Sequence, residues 1–442
     1  MPISLPPDTL FSLAREELTQ LAEEGRVVDD LLAEAALLDE ADPALRADFA
    51  ERLFHHAPNL PFVPDWPYDE PSLLDDIHDA RPAVRPGLPP LDPATFPDHL
   101  LGAWLGRCAG CMLGKPVEGH TRANIERLLT AGSAWELDDY FPPIADVPEG
   151  IHYQAVDSTL LRGNIVCSER DDDTDYTLLG LHILEENGPS FAPRDVAHQW
   201  LDHFPFNRVY TAERLAYRNL VVEMWPPASA SYMNPYREWI GAQIRADGFA
   251  FCAAGRPELA ADYAWRDASI SHTRNGIYGE MFFAALIAAA FATDDLADAI
   301  AAAAGEIPEH CRLRECVDDC IAWCAEDATW QITWERINDK YGHYHPVHTI
   351  NNAALVLLGL LHSDGDFGRA ISIAVMGGWD TDCNGATAGS VMGALLGVKA
   401  LPEKWVAPLN DTLHSDLVGF TTNRISDLAT RTERIALGGL SS

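Results

Sequence analysis

Glycine placement constrains the packing of this chain more than any other feature of its sequence. Two series carry a glycine at every fourth position: Gly102, Gly106, Gly110 and Gly114, then Gly385, Gly389, Gly393 and Gly397. A glycine inside a helix costs about 1 kcal/mol relative to alanine, so eight of them require a compensating interaction. One glycine per turn makes a smooth ridge, and two such ridges can interlock with their backbones in close approach. The sequence predicts either that the two helices pack against each other at the centre or that each packs separately against bulky neighbours.

The chain beyond about residue 95 has a helical pattern throughout. Runs rich in alanine and leucine recur at 98–113, 174–187, 191–203, 241–254, 277–304, 312–325, 350–362, 366–376 and 384–398. Few segments alternate with period two, so a sheet is difficult to build. No internal repeat of roughly 20 to 50 residues is visible. We therefore predict an all-α, compact multi-helix domain over residues 96–442.

Residues 1–95 are predicted to form a helical and proline-rich extension to this domain. Apolar residues at helical spacing mark 8–24, and a second run rich in leucine and alanine covers 28–38. A third helix is expected to begin at Asp42-Pro43, because aspartate is a good N-cap and proline fits the first helical position.

A proline-rich arm follows these helices. Eleven of the 30 prolines fall between Pro58 and Pro97, which predicts an extended segment without regular helix. The aromatic residues Phe62, Trp66 and Tyr68 indicate that the arm lies on the main domain. We also expect the extension to cover part of the rim of the functional site.

The charge of the chain excludes several classes of partner. Lys and Arg number 31 against 67 Asp and Glu, a net charge of −36, so neither nucleic acid nor an anionic membrane is an expected partner. The amino terminus lacks a basic region followed by an apolar run, and the longest apolar stretch, 281–292, is too short to span a bilayer. Nine cysteines, an odd number, do not indicate a disulfide framework. The expectation is a soluble, cytoplasmic, reduced protein.

An acidic cluster stands where the helical run at 174–187 begins. Asp171, Asp172, Asp173 and Asp175 occupy four of five consecutive positions. The helix dipole favours one or two acidic residues in a first turn, but it does not account for four. Adjacent carboxylates repel one another unless a hard divalent cation neutralises them. This cluster alone predicts either a metal site or a solvated acidic turn.

A second acidic cluster, Asp380-Thr381-Asp382-Cys383-Asn384, begins the second glycine-ridged helix. Gly377 and Gly378 precede it and permit a tight turn. Two acidic helix starts that converge could hold two cations about 3.5–4 Å apart, as in two-metal hydrolases. The two clusters together favour metal binding over capping.

The loop after the first glycine series supplies a third element. Pro116 prevents continuation of the helix beyond Gly114, and Lys115 and Glu118 lie on either side of this proline. A single glutamate on a loop is usually solvated, so Glu118 gains significance only from the resemblance that follows.

These three segments, in this order, resemble the ADP-ribosylglycohydrolase family. The resemblance extends from about residue 98 to the carboxyl terminus and rests on an early Asp-Asp-Thr and a late Gly-Gly-x-Asp-x-Asp before a glycine-rich helix. IGAQIR at 240–245 is similar to the family's glycine-rich substrate loop, and SHTRNG at 271–276 resembles its Thr/Ser-His stretch near the distal ribose or adenine. The resemblance implies a compact orthogonal multi-helix fold. The first 95 residues have no counterpart in it.

The resemblance also implies a dinuclear site. It implies two Mg²⁺, with Mn²⁺ possible, at the two acidic clusters: Asp171, Asp172, Asp173, Asp380, Asp382 and Cys383. It implies catalytic roles for Glu118, Asp172 and Asp382. Substrate contacts are expected from Lys115, Gly241, His272, Asn275 and Gly276.

Two positions depart from the family pattern. Asp171 stands where the family often has threonine, and Cys383 stands where it usually has threonine or serine. A thiol is a poor ligand for Mg²⁺, so Mn²⁺, a carbonyl oxygen or Asn384 are alternative contributors. His272 has the alternative interpretation of a helix-start histidine bonded to backbone.

The function that the resemblance implies is hydrolysis of the N- or O-glycosidic bond of an ADP-ribosyl or related ribosyl substrate. The partner would be an ADP-ribosylated protein or a small ADP-ribosyl or ribosyl compound. The alternatives are a non-catalytic ADP-ribose-binding or structural protein on the same fold, and a glycohydrolase of a small N-riboside metabolite.

Three cysteines at helical spacing are compatible with either a zinc site or a buried stripe. Cys316, Cys320 and Cys324 recur at helical spacing directly after His310 and Cys311. A zinc site is conceivable here, but a buried stripe is favoured because paired Cys-x-x-Cys knuckles are absent.

Overall fold

Helices make up nearly all of the regular structure in the computed structural model, which describes residues 5–438. Four helices precede residue 95: α1 (Pro7–Glu23), α2 (Asp29–Leu37), α3 (Pro43–His56) and α4 (Leu74–Ala80). The main domain then contains α5 (Phe96–Gly114), α6 (Arg122–Ala131), α7 (Asp172–Asn187), α8 (Pro193–His203), α9 (Thr211–Val221), α10 (Ala228–Ser231), α11 (Ala246–Cys252), α12 (Pro257–Ala268), α13 (Asn275–Ala290), α14 (Leu296–Ala304), α15 (Arg312–Glu326), α16 (Trp330–Tyr341), α17 (Thr349–Leu361), α18 (Phe367–Met376), α19 (Thr381–Leu396), α20 (Glu403–Val406), β1 (Thr412–His414), β2 (Thr422–Arg424) and α21 (Ile425–Gly438). The all-α prediction is confirmed, and β1 and β2 form one short antiparallel hairpin.

The two glycine ridges interlock at the centre of the main domain. A Cβ atom added to Gly102 would lie 2.5 Å from the carbonyl oxygen of Gly393, and one added to Gly110 would overlap the backbone of Gly385. The pairs run in opposite directions along the chain, so α5 and α19 are antiparallel. The first of the two predicted packings is confirmed, because each series needs the other to be free of side chains.

The register of this contact determines which ends of the helices meet. Gly114, the last residue of α5, lies against Thr381, the first residue of α19. The Thr381 hydroxyl donates a 2.8 Å hydrogen bond to the Gly114 carbonyl, one of the acceptors that a helix end leaves unpaired. The loop carrying Glu118 therefore begins beside the second acidic cluster.

Around this pair the core is packed from all sides. Every residue of α13, which contains most of the apolar stretch at 281–292, is buried. Cys316 and Cys320 are also fully buried, in agreement with a core stripe. Among the described residues no helix combines the length and the apolar character needed to cross a bilayer.

The extension packs on the main domain and has a small core of its own. Leu18, Phe49 and Leu53 bury their side chains among α1, α2 and α3. In the arm, the Tyr68 hydroxyl bonds to Glu315, and the Trp265 indole donates a 3.0 Å hydrogen bond to a carbonyl of the arm. The expectation of an arm without helix is wrong at α4, which forms because residues 72–81 contain no proline. The division of the chain near residue 95 stays a prediction.

Several predicted helix boundaries are corrected. The run at 277–304 is two helices, because Asp295 caps α14 with a 2.8 Å hydrogen bond from the Ala297 amide. Within 241–254 only α11 is α-helical. The search for runs rich in alanine and leucine missed seven described helices of the main domain: the longer α6, α9, α12, α16 and α21, and the four-residue α10 and α20.

Replacing Gly110 by alanine tests the interlocked contact. Its Cβ would meet backbone atoms, which cannot move aside as a side chain would, so we expect a loss of about 3 kcal/mol or more in the free energy of unfolding. Gly180→Ala in α7 is the matched control, because its nearest contacts would lie at 3.4 Å, an ordinary distance. Denaturant titration measures the free energy of unfolding of both variants. Equal stability of the two would contradict a close backbone contact between α5 and α19.

Candidate metal centre

Both acidic clusters and Glu118 open into one cavity of about 470 Å³, here called the acidic cavity. Its lining is Lys115, Glu118, Arg170, Asp171, Asp172, Tyr210, Thr211, Glu213, Ile240, Gly241, Ile244, Val347, Asp380, Asp382 and Cys383. The helix starts of α7 and α19 thus converge, as the two-cluster interpretation requires. The volume is within the usual range for small-molecule sites, about 300–1,000 Å³.

Backbone hydrogen bonds hold the Glu118 loop against the turn before α19. The Gly119 amide donates to the Trp379 carbonyl, and the Trp379 amide donates to the His120 carbonyl, both at 2.9 Å. Gly378 has a φ of +87°, and a Cβ on it would lie 2.7 Å from the Arg122 amide nitrogen, so this position requires glycine. Trp379 is also in the left-handed region, with a φ of +63°. Such strain is typical of functional turns.

Arg107 connects α5 to the start of α7 from within the protein. Its buried guanidinium donates to the Asp173 carboxylate at 3.1 Å, to the Thr177 hydroxyl at 2.7 Å and to the Ile244 carbonyl at 2.7 Å. It also pairs with Asp247 at 3.0 Å. Sequence reasoning missed Arg107, although it is the one charged residue between positions 100 and 114, and a charge inside a glycine ridge requires buried partners.

Asp171 is engaged by both of its oxygens. One accepts a 3.0 Å hydrogen bond from the Asp173 amide and caps α7, while the other pairs with the Lys115 ammonium at 2.6 Å. Burial alone would raise the pKa of Asp171, but the Lys115 charge and these hydrogen bonds leave it below the ordinary value. Asp171 is therefore a stable anion that orients Lys115 and the first turn of α7.

The other carboxylates are held as a mutually repelling group. Burial and neighbouring carboxylates raise the pKa values of Asp172, Asp173 and Asp382 well above the ordinary aspartate value. Burial raises the pKa of Asp380 to about 6. Glu118 belongs to an exposed loop, but loss of hydration at its carboxylate, beside Asp380, raises its pKa to about 7. Added positive charge would stabilise the ionised form of every member.

The donor atoms in the acidic cavity fit hard divalent cations. Glu118, Asp380 and Asp382 each place one carboxylate oxygen within 4.8 Å of the others, and so do Asp171, Asp172 and Asp173. Asp173 and Asp382 also meet in a group with Cys383. Asp382 Oδ1 is buried and has no hydrogen-bond partner among the described residues. A buried, unpaired carboxylate oxygen is costly unless a cation or water satisfies it, and oxygen donors are what Mg²⁺ and Mn²⁺ prefer.

Cys383 contributes a hydrogen bond to this group. Its thiol donates to Asp173 Oδ2 at 3.3 Å, and burial together with the surrounding carboxylates raises its pKa well above the ordinary thiol value. A neutral thiol in this position does what a threonine or serine hydroxyl would do, since all three can donate to Asp173.

Among the predicted substrate residues, Lys115 and Gly241 line the acidic cavity and His272 does not. A Cβ at Gly241 would overlap the Glu213 carboxylate, so glycine is needed where this wall passes Glu213. His272 is buried and lines a separate cavity of about 320 Å³. Its Nδ1 bonds to the Ser271 hydroxyl at 2.8 Å, and its Nε2 is 3.9 Å from Glu213.

Asn275 and Gly276 also lie outside the acidic cavity, beneath the extension. The Asn275 amide donates to Glu70 of the arm at 2.8 Å and to Glu238 at 2.9 Å. Gly276 packs against the backbone of Arg237. The expectation that the extension covers the rim is wrong for the described residues, because none before residue 115 lines the acidic cavity. The extension instead contacts Arg237 and Glu238, which directly precede this wall in the chain.

Other lining residues were not anticipated from the sequence. Arg170 pairs with Asp175 at 2.9 Å and with Asp416 at 3.1 Å, which explains the fourth aspartate of the first cluster as a structural anion. Its position directly before four acidic residues was an available signal. Tyr210 and Val347 come from segments that carry no motif, and only the fold brings them to the acidic cavity.

Comparisons with known proteins identify the family of this chain. Residues 92–436, most of the chain, match the ADP-ribosylglycohydrolase family. Among solved structures, an ADP-ribosylglycohydrolase-related protein complex is similar at 20% identity and a TM-score of 0.47, over 78% of this chain and 99% of that chain. No curated protein matches the chain. The chain belongs to the ADP-ribosylglycohydrolase family.

Proposed function

We propose that this protein hydrolyses the N- or O-glycosidic bond of an ADP-ribosyl or related ribosyl substrate in the acidic cavity, with two Mg²⁺ ions, or Mn²⁺, as cofactor. Family membership supports glycohydrolase chemistry. The observation that supports the metal-dependent form most strongly is the convergence of five carboxylates: Glu118, Asp172, Asp173, Asp380 and Asp382. A protein that only bound ADP-ribose would have no need to sustain this repulsion.

The five converging carboxylates are the proposed metal-holding residues. Asp382 and Asp173 belong to overlapping groups of donors, so they connect the Glu118 side of the acidic cavity to the Asp172 side. Asp171 is left to cap α7 and Cys383 to donate to Asp173. When bound, the cations supply positive charge that binds ribose hydroxyls and lowers the pKa of water.

Glu118 is the proposed general base. The pKa of Glu118 is raised to about 7 in the metal-free protein, and bound cations would lower it, so its carboxylate would be ionised and able to accept a proton. Its loop is exposed, so the proton that it accepts can pass to solvent. The buried anions Asp172 and Asp382 favour the positive charge that develops on the ribose ring as the glycosidic bond breaks.

Two cations of the chain face the same cavity. Lys115 is held by Asp171, and Arg170 by Asp175 and Asp416, so both are fixed in place before substrate arrives. They provide positive potential for the diphosphate of an ADP-ribosyl group. The proposed site leaves out His272, Asn275 and Gly276, whose side chains or backbones are committed elsewhere.

Isotope incorporation tests the proposed reaction directly. Peptides carrying ADP-ribose on arginine or on serine, and a simple N-riboside, are incubated with the protein and Mg²⁺ in H₂¹⁸O. We expect ¹⁸O at the anomeric carbon of the released sugar and an unlabelled acceptor, read by mass spectrometry. Binding of ADP-ribose without any turnover would instead support the non-catalytic alternative.

Asp382→Asn should separate the metal site from the fold. Because its environment raises the pKa of Asp382, its charge destabilises the metal-free protein at neutral pH. We expect a higher Tm without Mg²⁺, no further rise with Mg²⁺, and activity at least about 100-fold lower. Asp366→Asn is the matched control, because Asp366 only caps α18. Wild-type metal affinity in Asp382→Asn would contradict the proposal.

Metal binding should release protons in slightly acidic solution. The pKa values of Glu118 and Asp380 are raised to about 7 and about 6, so the metal-free protein retains these protons until the pH rises through that range. Cations must displace them, and affinity should increase between about pH 5.5 and 7.5 before it levels off. Calorimetry in buffers of different ionisation enthalpy counts the protons. An affinity independent of pH would count against these two ligands.

Cys383 variants should show whether the thiol is a ligand or a hydrogen-bond donor. Cys383→Ser retains a donor for Asp173, so Mg²⁺ affinity should stay within about threefold of wild type or improve. Cys383→Ala removes the donor and should weaken binding by about tenfold. If both variants lose affinity equally, the thiol itself binds the metal.

A further inference from the structure

A second cluster of metal-ligating side chains lies outside the acidic cavity, at the edge of the β-hairpin. Cys167, Glu169 and His414 each place one donor atom within 4.8 Å of the others. Backbone pairing brings them together: the Ser168 amide donates to the Thr412 carbonyl at 2.8 Å, and the His414 amide donates to the Ser168 carbonyl at 2.9 Å. Side chains alternate along extended backbone, so Cys167 and Glu169 share a face, and both lie near His414.

Two distances within this cluster are slightly longer than those of a tetrahedral zinc site. Cys167 Sγ and Glu169 Oε2 are both 3.7 Å from His414 Nδ1. Zinc bound at about 2.3 Å to sulfur, 2.0–2.1 Å to nitrogen and 2.0–2.2 Å to oxygen requires neighbouring ligand atoms to be about 3.4–3.6 Å apart. A movement of a few tenths of an ångström would complete the geometry.

The arrangement is a chelate and not a nucleophilic triad. In a triad the histidine contacts the nucleophile with one nitrogen and the orienting carboxylate with the other. Here the thiol and the carboxylate both approach the same nitrogen, Nδ1. Burial and the Glu169 charge also raise the pKa of Cys167, so without a cation it is a neutral thiol and not an activated thiolate.

We propose that Cys167, Glu169 and His414 bind one Zn²⁺ ion, with water as the fourth ligand. A thiolate, an imidazole and a carboxylate select zinc over Mg²⁺, whereas the oxygen-rich acidic cavity has the opposite preference. The cluster is open to solvent on one side, since the side chains of His414 and Glu169 are 42% and 30% exposed. Arg170 and Asp171 follow directly, so the ion holds the segment that enters α7 against β1.

Cobalt substitution tests this site independently of catalysis. Co²⁺ is titrated into the reduced protein, with excess Mg²⁺ present to occupy the acidic cavity. We expect one equivalent to bind with the near-ultraviolet absorption of a Co²⁺–thiolate bond, and Zn²⁺ to displace it. The band should disappear in Cys167→Ser and persist in Cys383→Ser, the matched control, because Cys383 is the buried thiol of the acidic cavity.

His414→Ala is the variant that should disturb the fold least, because the histidine side chain is partly exposed. Zn²⁺ affinity should fall by at least about 100-fold, since loss of even an outer-shell partner costs 10–100-fold. Zn²⁺ should raise the Tm of the Mg²⁺-saturated wild type but not that of the variant. A band that persists in Cys167→Ser, a band lost in Cys383→Ser, or no thiolate absorption at all would each overturn the proposal.

Discussion

The backbone contact between α5 and α19 determines where the acidic cavity forms. Without side chains between them, the two helices are held in a single antiparallel register, in which Gly114 meets Thr381. A shift by one turn would move Glu118 about 5.4 Å away from Asp380 and Asp382. The eight glycines lower the intrinsic stability of the two helices, but they allow the close packing that aligns the residues of the acidic cavity. The same register explains why a strained turn at Gly378 and Trp379 is tolerated, since the Glu118 loop is bonded to it.

Ion pairs fix the start of α7 relative to the packed α5 and α19 helices. Arg107 anchors α7 to α5 through Asp173, and Lys115 stabilises Asp171 as the cap of the same helix. The remaining carboxylates lack an equal number of cationic partners within the acidic cavity. Their pKa values are raised because burial and the neighbouring negative charges disfavour ionisation. Bound divalent cations would compensate this excess negative charge without rearrangement of the helices. The proposed function therefore couples metal binding to stability, because the repulsion among these carboxylates is greatest in the metal-free site.

Much of the central packing and of the candidate site could be predicted from local sequence. The glycine spacing and the two aspartate clusters identify the central helices and the carboxylates of the proposed metal site, because their unusual composition needs a physical explanation. The placement of His272 and Asn275 could not be predicted in this way. Asn275 is bonded by Glu70, a residue 205 positions earlier in an arm with no recognisable motif. Tyr210 reaches the acidic cavity through tertiary contacts alone, whereas the isolated charge of Arg107 in the glycine series indicates buried partners without identifying them. Helices such as α16 were missed because their burial depends on one face rather than on alanine-rich composition.

Crystals grown with Mn²⁺ and measured at the manganese absorption edge test metal binding in the acidic cavity most directly. We expect anomalous density in the acidic cavity, in contact with the Asp382 carboxylate and shared between the Glu118 and Asp172 sides. A well-ordered acidic cavity without anomalous density at saturating Mn²⁺ would contradict this expectation, since the converging carboxylates would then have a purely structural role.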